Sequence, residues 1–166
     1  MILQYFKKKE NKEQIIAIEQ YKKILAESNL FLNKYNFFKI KNYKISFEIV
    51  SIFLIMFIRI NLLENNRKLY LKVNDELLSL FISDLDESLR EKGIGDMSIG
   101  KYVKSYVKKF YFRLSKFPDD NNLYKNESFI EYLKIIDLIK NDDYVNVSRK
   151  FNDKFSEFMN SKKSIY

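Results

Sequence analysis

The 166-residue chain contains no cysteine, no histidine and no tryptophan, and it has only three glycines and one proline. Without cysteine it forms no disulfides, which fits a reducing compartment. Without cysteine or histidine it lacks the usual zinc and haem ligands, the commonest general base and the thiolate nucleophile. We therefore expect a protein that is not an enzyme, with no catalytic residue, no metal site and no cofactor.

The shortage of turn-forming residues favours long helices. A β-sandwich or barrel needs turn signals about every 8 to 12 residues, which this chain cannot supply. Its 46% hydrophobic content is enough for one sizeable core. The composition predicts an all-α, single-domain bundle of about six helices over residues 1–166, with residues 1–10 as a basic N-terminal tip.

The first two helices are predicted from capping residues and apolar content. Asn11 and Gln14 have capping-box spacing, which predicts a first helix ending near Tyr35. Ser46 is expected to cap a second helix that contains the apolar run at residues 49–58. That run has ten residues, whereas a membrane span needs about 20, so we predict a helix in the centre of the bundle.

Later helices are predicted from breaks and from apolar stripes. Asn65 and Asn66 interrupt the chain before a long third helix, and Pro118 ends a fourth that Asp96 or Ser98 is expected to cap. Apolar residues at helical spacing mark the third, fifth and sixth helices. They are Val73, Leu77, Leu78, Phe81, Leu85 and Leu89 on the third, Phe129, Tyr132, Leu133 and Ile136 on the fifth, and Tyr144, Val147, Phe151, Phe155 and Phe158 on the sixth.

All three glycines lie in one short segment, residues 93–100, between the third and fourth predicted helices. Gly93 and Gly95 permit positive φ angles, which predicts a tight Gly-x-Gly-Asp turn. Such a turn is expected to bring Asp96 and Lys101 close to Arg90 and Glu91.

The fourth predicted helix has an unusual charge pattern in a chain of net charge +8. Residues 97–117 contain six basic residues and no acidic residue, whereas solvated helices usually mix both signs. At about 100° per residue the basic side chains spread over the half of the helix opposite its apolar stripe. Tyr102 and Phe112 lie among them, which predicts a surface for an anionic partner. The basic residues are Lys101, Lys104, Lys108, Lys109, Arg113 and Lys116.

Residues 84–117 resemble the signature of the ubiquinol-cytochrome c chaperone family, the cytochrome b assembly factors of α-proteobacteria and mitochondria. The resemblance extends weakly over residues 20–120. Phe53 stands where the family commonly has a histidine, and Phe112 stands where it has a glycine. The matching residues are Asp86, Leu89, Arg90, Glu91, Gly93, Gly95, Asp96, Lys101, Phe110, Tyr111 and Arg113.

The resemblance implies a non-catalytic chaperone that holds newly made cytochrome b during assembly of the bc1 complex. It also implies a small partner subunit, the ribosomal exit region as a further partner, and a place in the bacterial cytoplasm at the inner membrane, or in the matrix if the source is mitochondrial. The residues implicated in binding are Arg90, Glu91, Gly93, Gly95, Asp96, Lys101, Tyr102, Lys104, Lys108, Phe112 and Arg113.

The residues themselves leave two other functions open. In an RNA-binding protein the same lysines would neutralise phosphates while the rings stack on bases. In a peripheral membrane protein residues 1–6 would insert into the bilayer while Lys7, Lys8 and Lys9 contact anionic lipid. In the chaperone hypothesis the aromatic connector at residues 36–45 would add apolar contacts to the client.

Overall fold

A computed structural model describes residues 11–39 and 42–163, with side chains up to Ser161. The predicted tip at residues 1–10 lies outside the described residues, as do Ile40 and Lys41 of the connector. Within the described ranges the chain forms six helices and no strand, which confirms the all-α prediction. The helices are α1 (Lys12–Lys34), α2 (Tyr43–Leu62), α3 (Arg67–Glu91), α4 (Asp96–Lys116), α5 (Glu127–Ile136) and α6 (Tyr144–Lys163).

Helix α2 is the central element and packs against α1, α3, α4 and α6. By length and composition it is apolar enough to span a bilayer, but 78% of its most apolar window is buried inside the bundle. Phe53 is fully buried and makes edge-to-face contacts with the rings of Phe31, Phe151 and Phe158. The prediction of a central core helix is therefore confirmed.

The helix ends follow local capping chemistry, with two corrections. Asn11 and Gln14 form the predicted capping box of α1. The prediction that Ser46 caps α2 is wrong. Helix α2 begins at Tyr43, and its N-cap is Asn42, whose side chain accepts a hydrogen bond from the Ile45 amide at 3.1 Å. Asparagine is among the strongest N-caps, and it leaves Ser46 inside the helix.

The second correction concerns the turn between α3 and α4. Gly93 has φ +86°, the left-handed conformation expected of a residue just beyond a helix end. Gly95 has φ −71°, so the prediction of a second positive φ is wrong. Gly95 itself occupies the N-cap position of α4, and Asp96 and Ser98 lie within the helix instead of capping it. One left-handed residue is enough to reverse the chain here.

A cluster of three amide side chains lies in the interface of α1, α2 and α3. Asn61 is fully buried and donates to Gln20 at 2.9 Å and to Asn74 at 2.7 Å, while Gln20 donates back to Asn61 at 3.0 Å. Asn74 donates in turn to the Ile58 carbonyl at 3.3 Å. We refer to Gln20, Asn61 and Asn74 as the amide cluster.

Candidate functional site

Helix α4 presents a continuous exposed face along its length. Lys101, Lys104 and Lys108 are all exposed and follow helical spacing, so their Cα atoms lie on one side over about 10 Å. None of these three has an ion-pair partner among the described residues. We call this surface the α4 basic face, defined by Lys101, Lys104, Lys108 and Lys116 with Tyr102, Tyr111 and Phe112.

Aromatic rings lie between the lysines of the α4 basic face. Tyr102, Tyr111 and Phe112 are about half exposed, at 47%, 49% and 47%. The Phe112 ring also lies 5.8 Å from the Lys116 ammonium and 5.8 Å from the Arg113 guanidinium. Rings beside cations can contact apolar groups and anionic groups of the same partner.

Arg113 does not belong to this exposed face, and the prediction that it does is wrong. Its side chain is buried and donates from Nε and Nη2 to the two carboxylate oxygens of Glu48, each at 3.0 Å. Lys109 reaches the same carboxylate at 2.9 Å and is only partly exposed. Glu48 is completely buried, so α4 is joined to α2 by one carboxylate and two cations.

The sequence-based prediction missed Glu48 as a buried residue, although two signals pointed to it. Glu48 comes directly before the apolar run of α2 at residues 49–58. Helix α4 has no acid of its own after Asp96, so a cation that turns inward must find its anion on another helix. A buried charge without such a partner is very costly, and Glu48 supplies it.

The turn before α4 is held by an exposed ion-pair cluster. Arg90 pairs with Asp86 at 2.5 Å on the same helix and with Asp96 across the turn. These two carboxylates raise the pKa of the Arg90 guanidinium through their hydrogen bonds. The expected proximity of Asp96 to Arg90 is present, while no contact of Lys101 or Glu91 with Arg90 is found among the described residues.

The aromatic connector contributes less free surface than expected. Phe38 is buried in the core, and the chain beside it pairs with the segment after α5. The Lys39 amide donates to the Leu138 carbonyl at 2.9 Å, and the Lys140 amide donates to the Phe37 carbonyl at 2.7 Å. The prediction that this connector offers its apolar residues to a client is therefore wrong for Phe38.

The part of the chain that contains α4 is similar to a known protein family. The model of the ubiquinol-cytochrome C chaperone family matches residues 41–118, which run from the connector through α2, α3 and α4. This segment is therefore similar to the ubiquinol-cytochrome c chaperone family. The match contains every residue of the α4 basic face, together with Glu48 and Arg113, and it confirms the resemblance inferred from residues 84–117.

A solved structure shares the fold. The crystal structure of the Cbp3 homolog from Brucella abortus aligns with a TM-score of 0.64 and 22% identity, covering 93% of this chain and 88% of that one. No curated protein sequence matches the chain. The matching family model describes ubiquinol-cytochrome C chaperones.

Proposed function

We propose that this chain is a non-catalytic assembly chaperone that binds newly made cytochrome b and promotes formation of the bc1 complex. The supporting observation is the α4 basic face, where three lysines without ion-pair partners alternate with half-exposed aromatic rings. A client with apolar segments and polar loops requires both kinds of contact. The buried ion pairs of Glu48 hold α4 in the orientation that exposes this face.

The membrane and ribosomal partners belong to the same proposal. An anionic lipid surface or ribosomal RNA would attract the exposed lysines, and attraction to either falls as salt screens the charges. The proposed location is therefore the bacterial cytoplasm at the inner membrane, or the mitochondrial matrix in a eukaryote. A small partner subunit remains part of the proposal through the family likeness alone.

Charge reversal on the α4 basic face tests the proposal. The double substitution Lys104→Glu/Lys108→Glu is expected to weaken capture of newly translated cytochrome b by about tenfold, because it replaces attraction with repulsion at the centre of the face. Both side chains are exposed, so far-UV circular dichroism and the melting temperature should be unchanged. Capture is measured by pull-down from a membrane-coupled translation reaction.

A matched control separates a local effect from the loss of net charge. Lys22 and Lys68 are exposed on α1 and α3, and the double substitution Lys22→Glu/Lys68→Glu changes the net charge by the same amount. Cytochrome b capture should survive in this control. Equal loss in both variants, or no loss in either, would contradict the proposed role of the α4 basic face.

Deletion in the host and RNA binding distinguish a chaperone from a general RNA-binding protein. Loss of the gene should lower mature bc1 complex, measured by haem difference spectra of membranes. The purified protein should show little affinity for ribosomal RNA fragments at moderate salt. Strong RNA binding together with a normal bc1 level would favour the RNA-binding alternative.

A further inference from the structure

A pocket of about 300 Å³ opens between α1, α2 and α3. Its walls are largely apolar and include Leu25, Leu32 and Val50. The rings of Phe47 and Phe81 also line it and stack on each other with centroids 6.0 Å apart. The size and the apolar lining suit a small organic group with a hydrophobic body.

One carboxylate lines this pocket. Asp84 accepts a hydrogen bond from the Tyr21 hydroxyl at 2.9 Å. No basic side chain of the described residues lies within 4.0 Å of it. By contrast, Glu27 and Glu48 each have a lysine or arginine partner. Asp84 therefore offers an unmatched negative charge at the pocket wall.

Two hydroxyl groups at the same pocket have no hydrogen-bond partner. Ser28 is 2% exposed, and neither its Oγ atom nor the buried hydroxyl of Tyr43 bonds to a described residue. Buried polar groups are almost always paired, so these two hydroxyls can hydrogen-bond to a group in the pocket. Burial, with smaller contributions from Tyr106 and Asp84, raises the pKa of Tyr43 to about 12, so both hydroxyls are neutral.

These groups together define the charge of the ligand. Asp84 disfavours an anion, and the neutral hydroxyl oxygens of Ser28 and Tyr43 can accept hydrogen bonds from a cation. The Lys92 ammonium already lies 4.8 Å from the centroid of the Tyr43 ring, which shows that this ring attracts positive charge. We propose that the pocket binds a protonated amine on an apolar stem, with Asp84 contacting the ammonium and the rings of Phe47 and Phe81 contacting the stem.

Such a group has two sources, a free amine or the lysine side chain of a polypeptide. Cytoplasmic loops of membrane proteins are rich in lysine and arginine beside apolar spans. A lysine next to an apolar segment of the client therefore has the required chemistry. This assignment to a client rests on the proposed function, whereas amine binding by the pocket does not.

A titration with two small probes tests the pocket. Benzylammonium and benzyl alcohol have similar size, and only the first carries a charge. Amide chemical shifts of the ¹⁵N-labelled full chain should show binding near Ser28 and Asp84, about tenfold tighter for benzylammonium because its hydrogen bond is charge-assisted. Equal affinity for the two probes, or no binding of benzylammonium, overturns the proposal.

Two variants connect the effect to one carboxylate. Asp84→Asn keeps an oxygen that accepts from Tyr21 and should remove the preference for benzylammonium while leaving the melting temperature close to that of the unsubstituted chain. Asp75→Asn is the matched control, because Asp75 is exposed on the same helix and forms no ion pair with a residue that the structure describes. A preference that survives in Asp84→Asn, or disappears in both variants, overturns the assignment to Asp84.

A peptide pair separates the two sources of the amine. A leucine-rich peptide with one central lysine is compared with the same peptide carrying norleucine, by fluorescence anisotropy. Tighter binding of the lysine peptide that Asp84→Asn removes supports a polypeptide ligand. Equal binding of both peptides overturns that source and supports a free amine. Neither result depends on bc1 assembly, so failure of the chaperone proposal remains distinguishable.

Discussion

The buried ion pair between Glu48 and Arg113 makes a sharp prediction about stability. Both side chains lie in the bundle, at 0% and 8% exposure, and two hydrogen bonds of 3.0 Å join them. Arg113→Met removes the cation and Glu48→Leu removes the anion. The double variant Glu48→Leu/Arg113→Met replaces the pair with apolar side chains.

The magnitudes follow from which charge each variant leaves behind. Removing one partner of a buried pair costs about 3–5 kcal/mol, because the other charge stays buried. Arg113→Met should lower the free energy of unfolding by about 3 kcal/mol, because Glu48 keeps its ion pair with Lys109 at 2.9 Å. Glu48→Leu should lower the free energy of unfolding by about 5 kcal/mol, because Arg113 has no second anion among its described contacts. The double variant should lose only about 1 kcal/mol or gain stability.

Urea unfolding monitored by circular dichroism measures all four free energies of unfolding. Losses of about 3 and 5 kcal/mol in the single variants against about 1 kcal/mol in the double variant correspond to a coupling of about 7 kcal/mol between the two substitutions. Lys109 is 30% exposed and can turn to water when Glu48 is absent, so it adds little to the double variant. If the losses of the two single variants simply add in the double variant, the reasoning about an uncompensated buried charge is refuted.

Three further predictions concern single groups. Gly93→Ser should lower the free energy of unfolding by about 1 kcal/mol because φ is +86°, whereas Gly95→Ser, at an N-cap with φ −71°, should be neutral or stabilising in the same urea assay. Tyr132→Phe should raise stability by about 1 kcal/mol, because the buried Tyr132 hydroxyl has no hydrogen-bond partner among the described residues; a clear loss in urea unfolding would contradict this. Tyr43 should ionise near pH 12 in an ultraviolet titration. Its raised pKa means that the folded state holds this proton above pH 10, so the contribution of Tyr43 to stability is constant below about pH 10 and falls as the pH rises towards 12. A Tyr43→Phe variant should lack that step, and an unchanged titration curve would count against it.

Helix content and boundaries were largely predictable because they depend on local chemistry. The capping box at Asn11 and the break at Asn66 require only neighbouring residues. The error at Ser46 arose because Asn42 is a competing cap four residues earlier. In that case the sequence contained two valid caps, and only the packing of Ile45 and Phe47 in the core selects the earlier one.

The candidate site was less predictable because it depends on contacts between distant residues. The sequence-based prediction places Arg113 with the other basic residues opposite the apolar stripe, although at about 100° per residue it lies only about 40° from Phe117 at the edge of that stripe. Its burial depends on Glu48, which lies 65 positions earlier and on another helix. The pocket beside Asp84 likewise combines side chains of three helices, and no pattern within one helix indicates it.

The amide cluster has a consequence for the uniqueness of the fold. Apolar side chains on α1, α2 and α3 would still find similar neighbours if one helix slid along another by a turn of about 5.4 Å. Gln20, Asn61 and Asn74 would then face hydrocarbon with their donors and acceptors empty. The three amides therefore favour a single alignment of α1, α2 and α3, whereas apolar surfaces alone would tolerate several.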